Sequence, residues 1–294
     1  MPSRSGSGSL ARVSNKSQKS IVSFKELGER LPASAPFSRH TTGSVIKTIE
    51  CELLPRLMIA FQSSGSIDRC DYLTPVDRAE FLRCLVTEDM APSVDFIRSI
   101  GQRDVPMELI FSDLMVNAAV ELGVMWEEDL CDFTDVTLAM CRIQELLRMN
   151  SVVGSPLFGR DDGRAHRIMV TTARDEQHTL GALITSEIFR RDGWFVTSEP
   201  GTQMADLIRI VSRDHYDFIG ISASSDRCLT NLRADVASLR ASSMNREVKL
   251  LVGGPLFDRH TRFAQEIDAA FVANDALGAP AVCRRLLAQS SVAC

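Results

Sequence analysis

The chain has 294 residues, of which 45% are hydrophobic and 24% charged, the balance of an ordinary soluble globular protein. Its formal net charge of −5 supplies no general field for nucleic acid, and no apolar run approaches the roughly 20 residues of a membrane helix. The length allows two domains, because single cores usually hold roughly 100–200 residues.

Pro32 and its polar neighbours leave no room for a secretory signal core near the start. The eight cysteines, Cys51, Cys70, Cys84, Cys131, Cys141, Cys228, Cys283 and Cys294, are scattered and form no Cys-x-x-Cys pair. Free thiols in a reducing cytoplasm are the plain reading, and a structural zinc site is not indicated.

Residues 1–45 are rich in Ser, Gly, Arg and Lys and read as a flexible arm. Within it, Ile21 to Leu31 has the pattern of a short amphipathic helix. Lys16, Lys19, Lys25 and Arg30 offer the arm a weak or indirect contact with DNA or an acidic partner, against the simpler reading of a solvated tail.

Residues 46–153 read as a helical bundle. Ile46, Ile49, Leu53, Leu54, Leu57 and Ile59 mark a first apolar face. Pro75 opens a helix carrying Phe81, Leu82 and Leu85, and Val94 to Ile100 form another. Pro106-Met107 begins a long helix with Leu109, Ile110, Leu114, Met115, Ala118, Ala119 and Leu122 at three-and-four spacing. Gly123 is expected to break it, with Trp126 just beyond. Thr134 is the expected cap of a last helix that carries Val136, Leu138, Ala139, Ile143, Leu146 and Leu147.

A linker is expected over 154–164, where Pro156 and Asp161-Asp162 fall. From 165 to 294 the period changes to short apolar strands alternating with helices. Strands are expected at Arg167–Thr172, Trp194–Thr197, Phe218–Ile221, Val248–Val252 and Ala270–Val272. Such alternation gives an α/β fold with a five-stranded parallel, Rossmann-like (flavodoxin-like) sheet, whose C-terminal strand ends share one rim.

Three segments fall on that rim. Glu176-Gln-His178-Thr-Leu-Gly181 follows the first strand, Ser222-Ala-Ser224 the third, and Gly253-Gly254 the fourth. His178 offers a neutral nitrogen ligand, and Glu176 is near enough to hold its other N–H. Ser222 and Ser224 carry hydroxyls, while Gly181, Gly253 and Gly254 leave space for a ligand against the backbone. Each signal alone is weak, since a lone histidine after a strand is more often structural. Their coincidence at matched strand ends is selective.

This combination resembles the cobalamin-binding module of methionine synthase and other B12 proteins. Its pattern is Asp-x-His-x-x-Gly, then Ser-x-Leu or Ser-x-Thr, then Gly-Gly. Here Glu176 stands in place of Asp, and Ser224 in place of Leu or Thr. The resemblance implies His178 as the lower axial ligand of cobalt, Glu176 as its orienter, and Ser222 as a contact to the buried nucleotide tail. Leu122-Gly-x-x-Trp126 is similar to an element of the helical cap over the corrin, which implies a cofactor contact for Trp126. The run Leu122 to Thr137 resembles a narrower group, the aerobic-repressor and PpaA-type photosynthesis regulators of purple bacteria. The resemblance covers about residues 80–288. Direct DNA-binding B12 photoreceptors carry a Glu-His pair where this chain has Val136-Thr137, so a fixed upper protein ligand is not implied.

A receiver domain fits poorly, because Ser222 stands where the phosphate-accepting aspartate is needed and no lysine ends the fourth strand. A dinucleotide site lacks its glycine-rich first loop. The other histidines, His40, His166, His215 and His260, have no partner at a ligand spacing. The resemblance therefore implies a non-enzymatic regulator with no catalytic residues, binding hydroxocobalamin or adenosylcobalamin and acting on a repressor protein of photosynthesis genes in response to light or redox state. Two alternatives stay open: a haem-binding sensor of the same fold, since one imidazole serves either metal, and a corrinoid methyl carrier of a methyltransferase system.

Overall fold

Helix α1 (Pro75–Leu85) begins where Thr74 and Asp77 cap each other's backbone amides, with Pro75 in the first turn. The structure, a computed structural model, describes residues 72–87, 89–152, 165–273 and 275–292. The expected arm 1–45, the helix carrying Ile46 to Ile59 and the linker 154–164 lie outside the described residues.

Helices α2 (Ala91–Gly101), α3 (Met107–Glu127) and α4 (Phe133–Met149) complete the described part of the bundle. Phe81, Leu85, Ile110, Phe111, Leu114, Met115, Leu122 and Ile143 are fully withdrawn from water. Burial stabilises each such side chain by about 1.5–3 kcal/mol. Buried Asp113 of α3 accepts from the Arg78 guanidinium at 2.9 and 3.1 Å and from the Asn117 amide at 2.7 Å, which locks α3 to α1.

Two expectations are corrected here. Gly123 does not end α3, which runs on to Glu127. A glycine inside a helix costs only about 1 kcal/mol, and buried Leu122 and Met125 on either side offset that. The cap of α4 is Asp132, paired with Asp135 in a capping box, and not Thr134. A third point concerns α3 itself. By length and hydropathy alone it is long enough and apolar enough to cross a membrane, although Glu108, Asp113 and Asn117 interrupt its apolar run. In this fold its apolar residues form the core of the bundle.

The second layer contains β1 (Arg167–Thr172), α5 (Leu180–Arg191), β2 (Phe195–Glu199), α6 (Met204–Arg213), β3 (Phe218–Ser222), α7 (Leu229–Ser242), β4 (Lys249–Gly253), α8 (Pro255–Arg259), α9 (Thr261–Glu266), β5 (Phe271–Ala273) and α10 (Ala279–Val292). The strand order is β2-β1-β3-β4-β5, all pairs parallel. One face packs Ile168, Val170, Phe189, Trp194, Phe218 and Leu251, the other Met169, Ile219, Ile221, Leu250 and Val252. Alternate residues of each strand thus feed two cores, as a sheet covered on both sides requires. The short helices α8 and α9 have no counterpart among the expected elements, because each is too short to show a period.

Chain order reverses between β1 and β3, the switch point at which open α/β sheets leave a crevice. In the register, Thr172 pairs with Ser222, and Ser222 with Gly253, so three strand ends stand level.

The bundle is tied to the sheet through α5. Buried Glu187 accepts from the Ser151 hydroxyl at 2.7 Å and the Val152 amide at 2.8 Å, and pairs with Arg191 at 3.2 Å. Arg191 in turn donates to the Asn150 carbonyl and lies over the Phe111 ring of α3.

Candidate functional site

The loop from β1 to α5 is built to hold one side chain still. Ala173 donates its amide to the Ser222 carbonyl, Asp175 adopts a left-handed φ of 64°, and Arg174 pairs with buried Asp235. These contacts turn Glu176 inward, where it is almost fully buried.

Glu176 uses both carboxylate oxygens. Oε1 lies 2.5 Å from His178 Nδ1 and accepts from the His178 amide at 2.9 Å. Oε2 accepts from the amides of Ser224 at 2.6 Å and Ser225 at 3.0 Å, with Cys228 Sγ at 3.8 Å. Burial would raise the carboxyl's pKa, but the hydrogen bonds from His178 and Ser224 outweigh it and hold the group at about 2. An ionised carboxylate only accepts, so Nδ1 is the donor, and in the neutral ring this tautomer leaves the lone pair on Nε2.

That Nε2 is shielded from water and has no hydrogen-bond partner among the described residues. An unsatisfied buried polar atom is uncommon enough to ask for a ligand. His178 lines a cavity of about 160 Å³ that opens at the switch point. Gly181, Ser222, Ser224, Gly253 and Gly254 line the same cavity. Its floor is Val170, Gly220 and Leu251, and α3 supplies a further wall through Ser112, Val116 and Ala119.

The backbone around the cavity requires glycine at 254. Gly254 has φ 99°, and a Cβ there would stand 2.5 Å from the Ala223 carbonyl oxygen. A Cβ at Gly181 would come within 3.5 Å of Ser222 Oγ. Asp258 borders the cavity from α8, and burial pushes its carboxyl pKa upward against the opposing effect of Arg259.

Two expected members behave differently from the rest. Ser224 enters the site through its backbone amide, which Glu176 holds. Trp126, half-buried at the end of α3, is not among the residues that line the cavity. The thiols of Cys131 and Cys283 are pushed to about 12 by burial, which leaves them protonated and unreactive at neutral pH. Among the described residues no group of three or more His, Cys, Asp or Glu side chains is arranged to hold a metal ion.

Sequence reasoning missed Ser112, Val116 and Ala119, which share a helix face with many core residues and so carry no separate signal. It also missed the Ser225 amide, since a backbone donor leaves no trace in residue type. A larger polar recess of about 520 Å³ lies beside the same loop, near Arg174, Gln177 and Gln203. None of the residues around it leaves a buried side-chain polar atom unpaired.

Residues 166–281 match the family model of the B12 binding domain. The chain is 28% identical over 173 residues to a Rhodobacter capsulatus protein described as an uncharacterized 20.5 kDa protein in the bchF-crtJ intergenic region, a match spanning 58% of this chain and 88% of that one. Among solved structures, the Methanosarcina barkeri monomethylamine corrinoid protein superposes with a TM-score of 0.55 at 15% identity, covering 70% of this chain and 96% of the other. The match of 166–281 is a similarity to that domain over the sheet part of the chain, and the likeness to the corrinoid protein is one of fold.

Proposed function

We propose that this protein holds cobalamin between the sheet rim and α3, with His178 Nε2 as the lower axial ligand of cobalt. The observation that carries the reading is the pair Glu176–His178: a carboxylate that fixes the tautomer and an orphaned buried nitrogen on a cavity wall. The residues present fit the group. Glu176 orients the ligand, Gly181, Gly253 and Gly254 leave a slot for the nucleotide tail, and Ser222 stands at its edge. When bound, the cobalt would supply an exchangeable coordination site on its other face. The chain's own part is to bind, orient and shield, and no catalytic residue is assigned to it.

Two outputs share this site. In the first, the protein carries a corrinoid for a partner subunit that provides the substrate site. The fold likeness to a corrinoid protein supports this, and so does the pairing of a helical layer with the sheet. In the second, the protein is a light- or redox-responsive antirepressor acting on a transcriptional repressor of photosynthesis genes. The resemblance of Leu122 to Thr137 supports it, as does the curated relative whose name places it between bchF and crtJ. Cobalamin exchange would then shift the balance between two packings of α3 on the sheet, provided that the ligand binds them unequally. Both readings place the protein in the cytoplasm. In the second, the arm 1–45 makes at most a weak or indirect DNA contact.

The test is an absorption spectrum of the protein mixed separately with hydroxocobalamin and with haemin, before and after illumination, beside His178→Ala. A protein-bound corrin spectrum that changes in the variant is expected. Haem uptake without corrin uptake would put a haem sensor in its place.

A further inference from the structure

Two of the residues that line the cavity each carry an orphaned buried polar atom. One is His178 Nε2 on the sheet side, and the other is Ser112 Oγ on α3. Ser112 is shielded from water at its oxygen and has no hydrogen-bond partner among the described residues.

Four other helical serines among the described residues do bond back to the preceding turn. Ser186 Oγ donates to the Ala182 carbonyl at 2.8 Å and Ser238 Oγ to the Ala234 carbonyl at 2.9 Å. Ser99 and Ser212 bond back in the same manner to Phe96 and Arg209. Bonding back to the preceding turn is the usual resource of a serine inside a helix. Ser112 lies in the wide π-helical turn Ile110–Met115 and makes no such bond. Such turns are costly and concentrate at functional sites.

Position completes the case. Ser112, Val116 and Ala119 are spaced four and three apart, so they share one helix face, and all three line the cavity. Val116 and Ala119 present only methyl groups, which makes Ser112 the polar group of that wall among the described residues.

We propose that Ser112 is a cofactor-binding residue, and that its hydroxyl hydrogen-bonds a polar group of the bound corrinoid from the α3 side. This rests on the cobalamin reading of the site. A hydroxyl both donates and accepts, so the group is either an oxygen coordinated to the metal's open face or an amide at the ring edge.

The full-length chain, Ser112→Ala, Ser112→Thr and His178→Ala are titrated with hydroxocobalamin and with methylcobalamin, following the corrin absorption bands. Ser112→Ala should weaken binding about three- to tenfold, the worth of one hydrogen bond, and Ser112→Thr, which keeps the hydroxyl, should restore it. Loss confined to hydroxocobalamin, with a shifted pH for loss of the coordinated water's proton, assigns the bond to the metal-bound oxygen. Equal loss for both corrinoids assigns it to a ring amide. Wild-type affinity in Ser112→Ala, or equal weakening in Ala and Thr, would overturn the inference while a His178-dependent spectrum leaves the cobalamin reading standing. Failure of the wild type to bind either corrinoid would overturn both.

Discussion

His178 Nδ1 and Glu176 Oε1 stand 2.5 Å apart, with the carboxylate's second oxygen held by the amides of Ser224 and Ser225. The imidazole is therefore oriented by the loop after β3 as well as by its own loop. A ligand that pulls on His178 Nε2 pulls on both sides of the switch point.

Replacing Glu176 with Gln tests the orienting role. The glutamine oxygen would satisfy the Ser224 and Ser225 amides, but its NH2 would then face Nδ1 and favour the tautomer with the proton on Nε2. Corrinoid affinity should fall about 10–100-fold, as is usual when an orienting partner is lost. Isothermal titration with hydroxocobalamin measures it, and unchanged affinity would show that the ring needs no such partner.

Glu176 also sets a pH dependence of stability. Its pKa is about 2 in the fold against an ordinary 4.5. A depressed carboxylate contributes stability that is complete above its unfolded pKa and is lost as pH falls through the folded value. Denaturation of the wild type should therefore become easier between about pH 4.5 and 2, and Glu176→Gln should lack that part of the slope. Parallel profiles for the two proteins would remove Glu176 as the source.

Gly254→Ala addresses the space at β4. The φ of 99° and the 2.5 Å approach to the Ala223 oxygen leave no room for a methyl group. Strain of this kind costs on the order of 1–3 kcal/mol. The midpoint of urea unfolding should drop accordingly, and an unchanged midpoint would mean that the loop shifts freely.

The tie between bundle and sheet is tested at Glu187. Glu187→Ala removes the acceptor for Ser151 and Val152 and the partner of Arg191. Hydrogen bonds to a buried charge contribute roughly 1.5–3 kcal/mol. Hydrogen exchange should quicken at the end of α4 and at the amides around Asn150 before it quickens in the strands. Uniform quickening would instead indicate global destabilisation.

Much of the site was readable because three strand ends announce themselves. The apolar runs expected at 167–172, 218–221 and 248–252 are too short for helices, and the strands they form end level in the register, at Thr172, Ser222 and Gly253. His178, Ser222 and Gly253-Gly254 line one cavity at that rim. The bundle was less transparent. Gly123 looked like a stop because a helix break and a buried helical glycine have the same local sequence. Thr134 looked like a cap because Asp132, which wins with Asp135 as its reciprocal partner, is equally polar. Ser112 was invisible, since neither a π turn nor an unpaired hydroxyl shows in residue type. Trp126 shows the reverse: its motif drew attention, yet the cavity wall is built from residues earlier in α3.

The central claim is that His178 ligates cobalt. The direct measurement is the electron paramagnetic resonance spectrum of the protein loaded with cobalamin and reduced to cobalt(II), prepared with natural-abundance histidine and again with 15N-histidine. Coordination by His178 predicts that the nitrogen splitting changes from a triplet to a doublet with the label, and that His178→Ala abolishes that change. A triplet that persists in the labelled protein would mean that the cofactor's own base, and not His178, remains on the metal.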